Sequence, residues 1–403
     1  MGSKISTHGA GPGPGVSDDE DRISILPDHL LQHILSFIPA QDAVRTGVLS
    51  RRWQHVWVEA PTFAFSDDTR STAGFADSLE KVLARSRSHH VDVLKISIRH
   101  PLHMAHANVW LQQAVERVHG STGISFVFPP KPNDCSSESS GDRVVLDLPC
   151  GGRTTALSLD VSSDGIGTLR VPPVSAALSS SLTELSLKSL RLDGSRFSDF
   201  VSSCCPHLRK LFLHTFGGMD YLRLSNDALE DLDLDFASGS CRGLRQLQVS
   251  SRNLRRLRIH DIFSPEVRSG EVHDGSKVAS FRTPRLEDLL WTCSTFMHPS
   301  RVEFADSLAT VRRLDLTLMT HAWVDDTDPV HNKLAVWLLR HCTGVRFLTI
   351  ALWNFARAIS TLCVPNYKAS INFIQVQVFK SEEIYREEIA PVHICKGYCD
   401  NFR

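Results

Sequence analysis

Residues 208–214 read Leu-Arg-Lys-Leu-Phe-Leu-His, residues 229–235 read Leu-Glu-Asp-Leu-Asp-Leu-Asp, and residues 254–260 read Leu-Arg-Arg-Leu-Arg-Ile-His. Each stretch has an apolar residue, two variable ones, an apolar residue, one variable, and a last apolar residue. Alternation with a period of two sends successive side chains to opposite faces of a strand. The fourth and sixth positions therefore share a buried face, and the residues between and beside them share the other.

The same spacing recurs at Val91-Leu94-Ile96, Leu182-Leu185-Leu187, Leu244-Leu247-Val249, Leu286-Leu289-Trp291, Val311-Leu314-Leu316 and Val345-Leu348-Ile350, with a weaker copy ending at Leu157-Leu159. So many copies in one direction exceed chance, even in a chain with 46 leucines, 17 of them between Leu182 and Leu257. The spacing is the strand signature of a leucine-rich repeat, whose period is about 20–29 residues. From Leu185 to Leu348 the middle apolar residues are 26, 21, 15, 10, 32, 25 and 34 residues apart. A ten-residue step is too short for a strand, a helix and their connections, so some units are expected to be strand and turn alone. The expected fold class is α/β: an irregular leucine-rich-repeat solenoid, ribonuclease-inhibitor-like, over residues 91–360. Serine-, proline- and glycine-rich runs at 129–142 and 171–181 read as insertions on its loop side.

Upstream the pattern changes. Residues 22–57 read RISILPDHLLQHILSFIPAQDAVRTGVLSRRWQHVW. Pro27 suits a helix start, where its fixed φ and missing N–H cost nothing. Leu30, Leu31, Ile34, Leu35 and Ile38 follow as one apolar stripe, which Pro39 stops. Asp42 is expected to cap a second helix carrying Ala43, Val44, Val48 and Leu49, and Ser50 a third carrying Trp53, Val56 and Trp57. Three helices this short cannot hide all those side chains, so either a partner or the following domain covers them. Residues 1–20 read as a disordered leader. Residues 61–90 are a linker or strand and then a helix on Phe75, Leu79, Val82 and Leu83. The tail, 361–403, holds one strand-like run at 371–379 and no recognisable solenoid cap.

The chain has 403 residues, with 44 Lys and Arg against 45 Asp and Glu. That balance provides no general field for nucleic acid or an anionic membrane. No apolar run long enough to span a bilayer occurs, and residues 1–8 lack the apolar core of a secretory signal. Ten irregularly spaced cysteines without C-x-x-C fit a reducing, intracellular compartment, in nucleus or cytoplasm. Gly2 and Ser6 match the myristoylation pattern, but a second anchoring signal is missing. His100, His103 and His106 lack cysteine or carboxylate neighbours in sequence, and His393, Cys395 and Cys399 lack a fourth ligand, so no metal site is expected. Six arginines between Arg242 and Arg258 have no interleaved aromatics for nucleic acid. No phosphate-binding loop, dinucleotide fingerprint or nucleophile elbow is present, so neither a cofactor nor a catalytic site is expected.

Leu26-Pro27, the Leu30/Leu31/Ile34/Leu35 stripe and the Val48-Leu49-Ser50-Arg51-Arg52-Trp53 run ending at Trp57 look like an F-box, here residues 21–60. With the repeats after it, the chain resembles the plant family of F-box proteins with leucine-rich repeats, many of which carry a C-terminal FBD segment. Residues 338–348 are similar to what precedes that segment, but 367–403 do not read like it. Gly47 stands where a helix former or serine is usual, a departure expected to weaken the second helix by about 0.5–1 kcal/mol. The resemblance implies a non-catalytic substrate receptor: the F-box binds a Skp-type adaptor, and through it cullin and RING subunits of a ubiquitin ligase. The repeats would hold an unidentified protein substrate, which tethering brings close to the conjugating enzyme. The alternative is a repeat scaffold with no ubiquitin role, in which the head merely caps the solenoid.

For the adaptor, the expected contacts are Leu26, Pro27, Leu30, Leu31, Ile34, Leu35, Val44, Val48, Leu49 and Trp53, with about half of them turned instead to the head's own core. Arg51 and Arg52 are expected on a solvated edge. For the substrate, the residues between the buried leucines should line the concave face: Lys210, Phe212, His214, Asp231, Asp233, Asp235, Gln246, Gln248, Arg256, Arg258, His260, Asp288, Leu290 and Arg313. Acidic and basic rungs lie two steps apart in this reading, available either to select a charged partner or to neutralise one another. Phe212 and Leu290 are the apolar anchors.

Overall fold

The computed structural model describes residues 23, 25–67, 74–85, 91–127, 144–149, 151–162, 167–173, 181–235, 243–263, 267–268, 271–272, 277–294, 301–319, 331–353 and 373–379. The leader, the insertion at 129–142, most of that at 171–181 and most of the tail lie outside them.

Twelve strands build one sheet: β1 (Thr62–Ser66), β2 (Val93–Ile98), β3 (Ser121–Val127), β5 (Ala156–Ser162), β7 (Glu184–Lys188), β9 (Lys210–His214), β11 (Asp231–Asp235), β13 (Arg256–His260), β17 (Asp288–Ser294), β19 (Arg313–Met319), β20 (Phe347–Trp353) and β21 (Phe373–Phe379). Neighbours pair in parallel, in chain order. Parallel neighbours need a crossover, and from β1 to β20 each crossover carries one described element or more of a second layer.

That second layer starts helical, with α4 (Phe75–Arg85), α5 (Pro101–Met104) and α6 (Ala107–Arg117). It continues as a three-stranded parallel sheet of β4 (Val145–Asp147), β6 (Gly167–Arg170) and β8 (Leu190–Arg191). Next comes α7 (Gly194–Asp199), running into a π turn at Phe200–Cys204. A four-stranded parallel sheet follows, β10 (Tyr221–Ser225), β12 (Gln246–Ser250), β16 (Val278–Arg282) and β18 (Arg301–Phe304), with a small antiparallel pair β14 (Val267–Arg268) and β15 (Glu271–Val272) before β16. The helix α8 (His331–His341) is the last described element of this layer. Phe304 of β18 stacks between Phe281 of β16 and Trp337 of α8, with ring centres 4.7 and 5.9 Å away.

The architecture is the α/β repeat solenoid, and it corrects the expected register in one place. Leu244-Leu247-Val249 has the repeat spacing, yet its strand, β12, pairs with β10 and β16 in the second layer. Removing it from the series turns steps of 15 and 10 into one of 25, between Leu232 of β11 and Leu257 of β13. The expected strand-and-turn units are thus repeats whose return segment is a second strand in place of a helix. Gln246 and Gln248 accordingly leave the substrate-facing row and stand on the outer sheet.

Register places the apolar positions in continuous rows. One row runs Phe63, Leu94, Thr122, Leu157, Leu185, Leu211, Leu232, Leu257, Leu289, Leu314 and Leu348. All of these are buried. Thr122 is the polar member, and its hydroxyl meets Thr154 Oγ1 at 3.0 Å while Thr154 donates to the Val118 carbonyl. A buried hydroxyl with both partners satisfied costs little. The turns between rungs pack as tightly as the strands: a methyl group on Gly344 would strike the Ala309 carbonyl of the preceding rung.

The candidate adaptor and substrate surfaces

The head comprises α1 (Asp28–Leu35), α2 (Ala40–Arg45), a 3-10 turn at Thr46–Val48 and α3 (Arg51–Val56). Ser50 caps α3, its hydroxyl accepting from the Trp53 amide. Asp42 does not cap α2: the chain enters that helix through Pro39, and Asp42 sits inside its first turn, paired with Arg45 at 3.1 Å. Arg52 is not an idle edge either. Its guanidinium binds the Asp28 carboxylate and the Leu26 carbonyl, tying α3 to the start of α1.

Gly47 lies in the 3-10 turn, beyond the end of α2, so it does not weaken that helix. A Cβ there would sit 2.9 Å from Trp57 Nε1. The buried Trp57 ring occupies the space a side chain would take, which accounts for the departure from the usual residue.

The head has two faces. Leu31, Leu35, Ala40, Ala43, Val56, Trp57 and Val58 are buried and continuous with the core of the repeats. Gln41 Nε2 donates to the Ser66 carbonyl at the end of β1, so α2 is fastened to the first strand. Leu30, Ile34, Phe37, Val48 and Leu49 are instead exposed, the last three 75%, 87% and 67%. Of the ten residues expected at the adaptor, Pro27, Leu30, Ile34, Val48 and Leu49 are exposed. Leu26, Val44 and Trp53 are half-buried, and Leu31 and Leu35 lie in the core. Sequence reading omitted Phe37, which follows α1 just beyond the stripe; its position one residue before Ile38 and two before Pro39 gave the only sign of it.

On the open face of the long sheet, the row Glu184, Lys210, Asp231, Arg256, Asp288 and Arg313 alternates in sign strand by strand. With β12 in the other layer, the acidic strand β11 and the basic strand β13 are immediate neighbours and not two steps apart. Their charges meet. Lys210 Nζ lies 3.0 Å from Glu184, Arg256 Nε 3.0 Å from Asp231, and Arg258 Nη1 3.5 and 3.4 Å from Asp231 and Asp233. His214 stands 3.7 Å from Asp233 and 3.9 Å from Asp235. Burial pushes the Asp231 carboxyl above its usual range, and the two arginines oppose that shift only in part. The parallel row sets Phe212, Asp233, Arg258 and Leu290 side by side, with Phe212 and Leu290 half-buried. His260 meets Thr292 at 3.1 Å.

The three histidines have separate structural roles. Asp67, fully buried, accepts from the Arg99 and His100 amides and meets His103 Nδ1 at 2.9 Å. His103 stacks on Phe75 and is largely buried; His106 lies against Trp110. Among the described residues no group of three histidine, cysteine or carboxylate side chains is arranged to hold a metal, and no helix is long and apolar enough to cross a membrane.

A helical head with exposed apolar side chains, followed by a parallel repeat sheet, defines the class: a repeat protein with a helical N-terminal head. Residues 23–61 match the family model for the F-box domain. The chain is similar to F-box proteins of Arabidopsis thaliana. It is 32% identical over 203 residues to a putative F-box protein, covering 49% of this chain and 45% of the relative. It is 28% identical over 264 residues to a putative F-box/LRR-repeat protein, 64% of this chain and 46% of the relative. To F-box/LRR-repeat protein 25 it is 28% identical over 254 residues, 62% of this chain and 89% of the relative. The chain spans about half the length of the first two of these relatives. An F-box domain followed by leucine-rich repeats is what fold and comparisons agree on.

Proposed function

We propose that this protein is the substrate-recruiting subunit of a Skp–cullin–F-box ubiquitin ligase, acting inside the cell, in nucleus or cytoplasm. It is read as contributing no catalytic group of its own. The head docks on a Skp-type adaptor through Leu30, Ile34, Phe37, Val48 and Leu49, and the open face of the long sheet holds the protein substrate. The observation that carries this reading is the bare apolar face of an F-box head whose opposite face is already committed to the repeats. Five large apolar side chains left exposed on so small a head support an interaction site there. The scaffold alternative needs only the buried face of the head, and leaves the exposed one without a purpose.

The test is a pulldown of the full chain with a Skp-type adaptor. Val48→Asp/Leu49→Asp places two charges in the contact without entering the core, and is expected to abolish capture while leaving the circular-dichroism spectrum unchanged. A charge at Leu31 would unfold the head and prove nothing. Undiminished capture of the double variant, or no capture of the folded wild-type chain, overturns the reading.

A further inference from the structure

The second layer is interrupted between β8 and β10, where the chain passes through α7 and the turn at 217–220. The interruption leaves an open cleft of about 820 Å3. Its lining includes the buried residues Leu169, Val171, Leu192 and Met219. Its walls carry Arg170, Arg191 and Arg196.

Strand geometry puts the first two on one side. Arg191 is the register partner of Thr168, and Arg170 lies two residues beyond Thr168 on the same face of β6. Arg191 is held by its surroundings: Gly218, at φ +83°, lets the turn press against the arginine stem, where a Cβ would sit 3.3 Å from Arg191 Cβ. The Arg191 Nε is buried without a hydrogen-bond partner. Among the described residues, neither Arg170 nor Arg191 makes a side-chain hydrogen bond or ion pair. The lining has two carboxylates. Asp193 is committed to the start of α7, accepting from the Ser195 amide, the Ser195 hydroxyl and the Arg196 amide, with Arg196 Nε 3.9 Å away. Asp220 is exposed at the rim.

We propose that this cleft is an oxyanion site for a phosphate-bearing ligand. Guanidinium groups present planar forks that match phosphate oxygens, and a phosphate offers three acceptors where a carboxylate offers two. The cleft volume lies in the range of small-ligand pockets, which leaves room for whatever bears the phosphate. The site lies on the back layer, away from both the head and the open face of the long sheet, so it stands independently of the ligase reading.

Calorimetric titration of the full chain at low salt tests it, with inorganic pyrophosphate in one arm and a doubly phosphorylated serine peptide in the other. Saturable binding is expected, weakened about tenfold by Arg170→Gln at the exposed rim, lost in Arg170→Gln/Arg191→Gln, and tightened several-fold by Asp220→Asn. Stronger binding of pyrophosphate points to a free phosphate compound and stronger binding of the peptide to a phosphorylated protein segment; either supports the site. Should Arg191→Gln disturb the fold, the two exposed variants still decide. No binding of either probe, or binding indifferent to Arg170→Gln and Asp220→Asn, overturns it.

Discussion

Asp261 follows β13 directly, at φ 45°, in the left-handed region that asparagine and aspartate tolerate best. Burial, and then the charge of Asp235, push its carboxyl up to about 6. The unfolded chain releases this proton near pH 4 and the folded one near 6, so between them the folded state binds more protons and stability falls as pH rises. Asp261→Asn keeps the backbone preference and removes the charge. It is expected to stabilise the protein by about 1–2 kcal/mol at pH 7 and hardly at pH 4, read from urea midpoints at the two values. Gly47 shows the opposite kind of constraint, set by space. Gly47→Ala drives a methyl group against Trp57 and is expected to cost about 1–3 kcal/mol, with a shift in tryptophan emission.

At the scale of elements, the strands whose core side chains are leucine were legible, because period-two alternation and a fixed offset survive any surroundings. β3 was not: its core row is Thr122, Ile124 and Phe126, and Thr122 works there only through Thr154, a partner 32 residues away. Nor could periodicity distinguish β12 from the main strands, since a strand in either layer buries one face. The charge pattern of β11 and β13 depended on that assignment, and became a set of paired neighbours once β12 moved. The free edge of β10 is covered by α7 and its π turn: the Ser198 hydroxyl accepts from the Arg223 amide at 3.0 Å and Ser202 from the Ser225 amide at 3.2 Å. Ser198→Ala leaves that edge amide unsatisfied. A loss of about 1–2 kcal/mol is expected, with faster hydrogen exchange at Arg223 and unchanged exchange in β11.

For the molecule as a whole, one apolar core runs from Leu31 through the repeats to Ile350. Head and repeats are therefore expected to unfold together, in a single transition seen alike by tryptophan fluorescence and far-ultraviolet circular dichroism; two separated transitions would show the head to be an independent unit. Deleting residues 23–60 exposes Phe63, Phe65 and the α4 face that the head helps cover, so that form is expected to melt lower or aggregate. How head and repeats join was not legible in sequence, because Gln41 and Ser66 carry no pattern that announces their contact.

That junction has a mechanical meaning. A flexible hinge would let anything on the sheet wander through a wide volume relative to whatever grips the head. Here β11 stands six strand spacings from β1, roughly 29 Å at the usual interval of about 4.8 Å, and no joint intervenes. Under the proposed function the chain would act as a ruler: adding or deleting one repeat would move a bound object by a fixed increment, and which of its side chains came within reach of a distant reactive centre would change in steps.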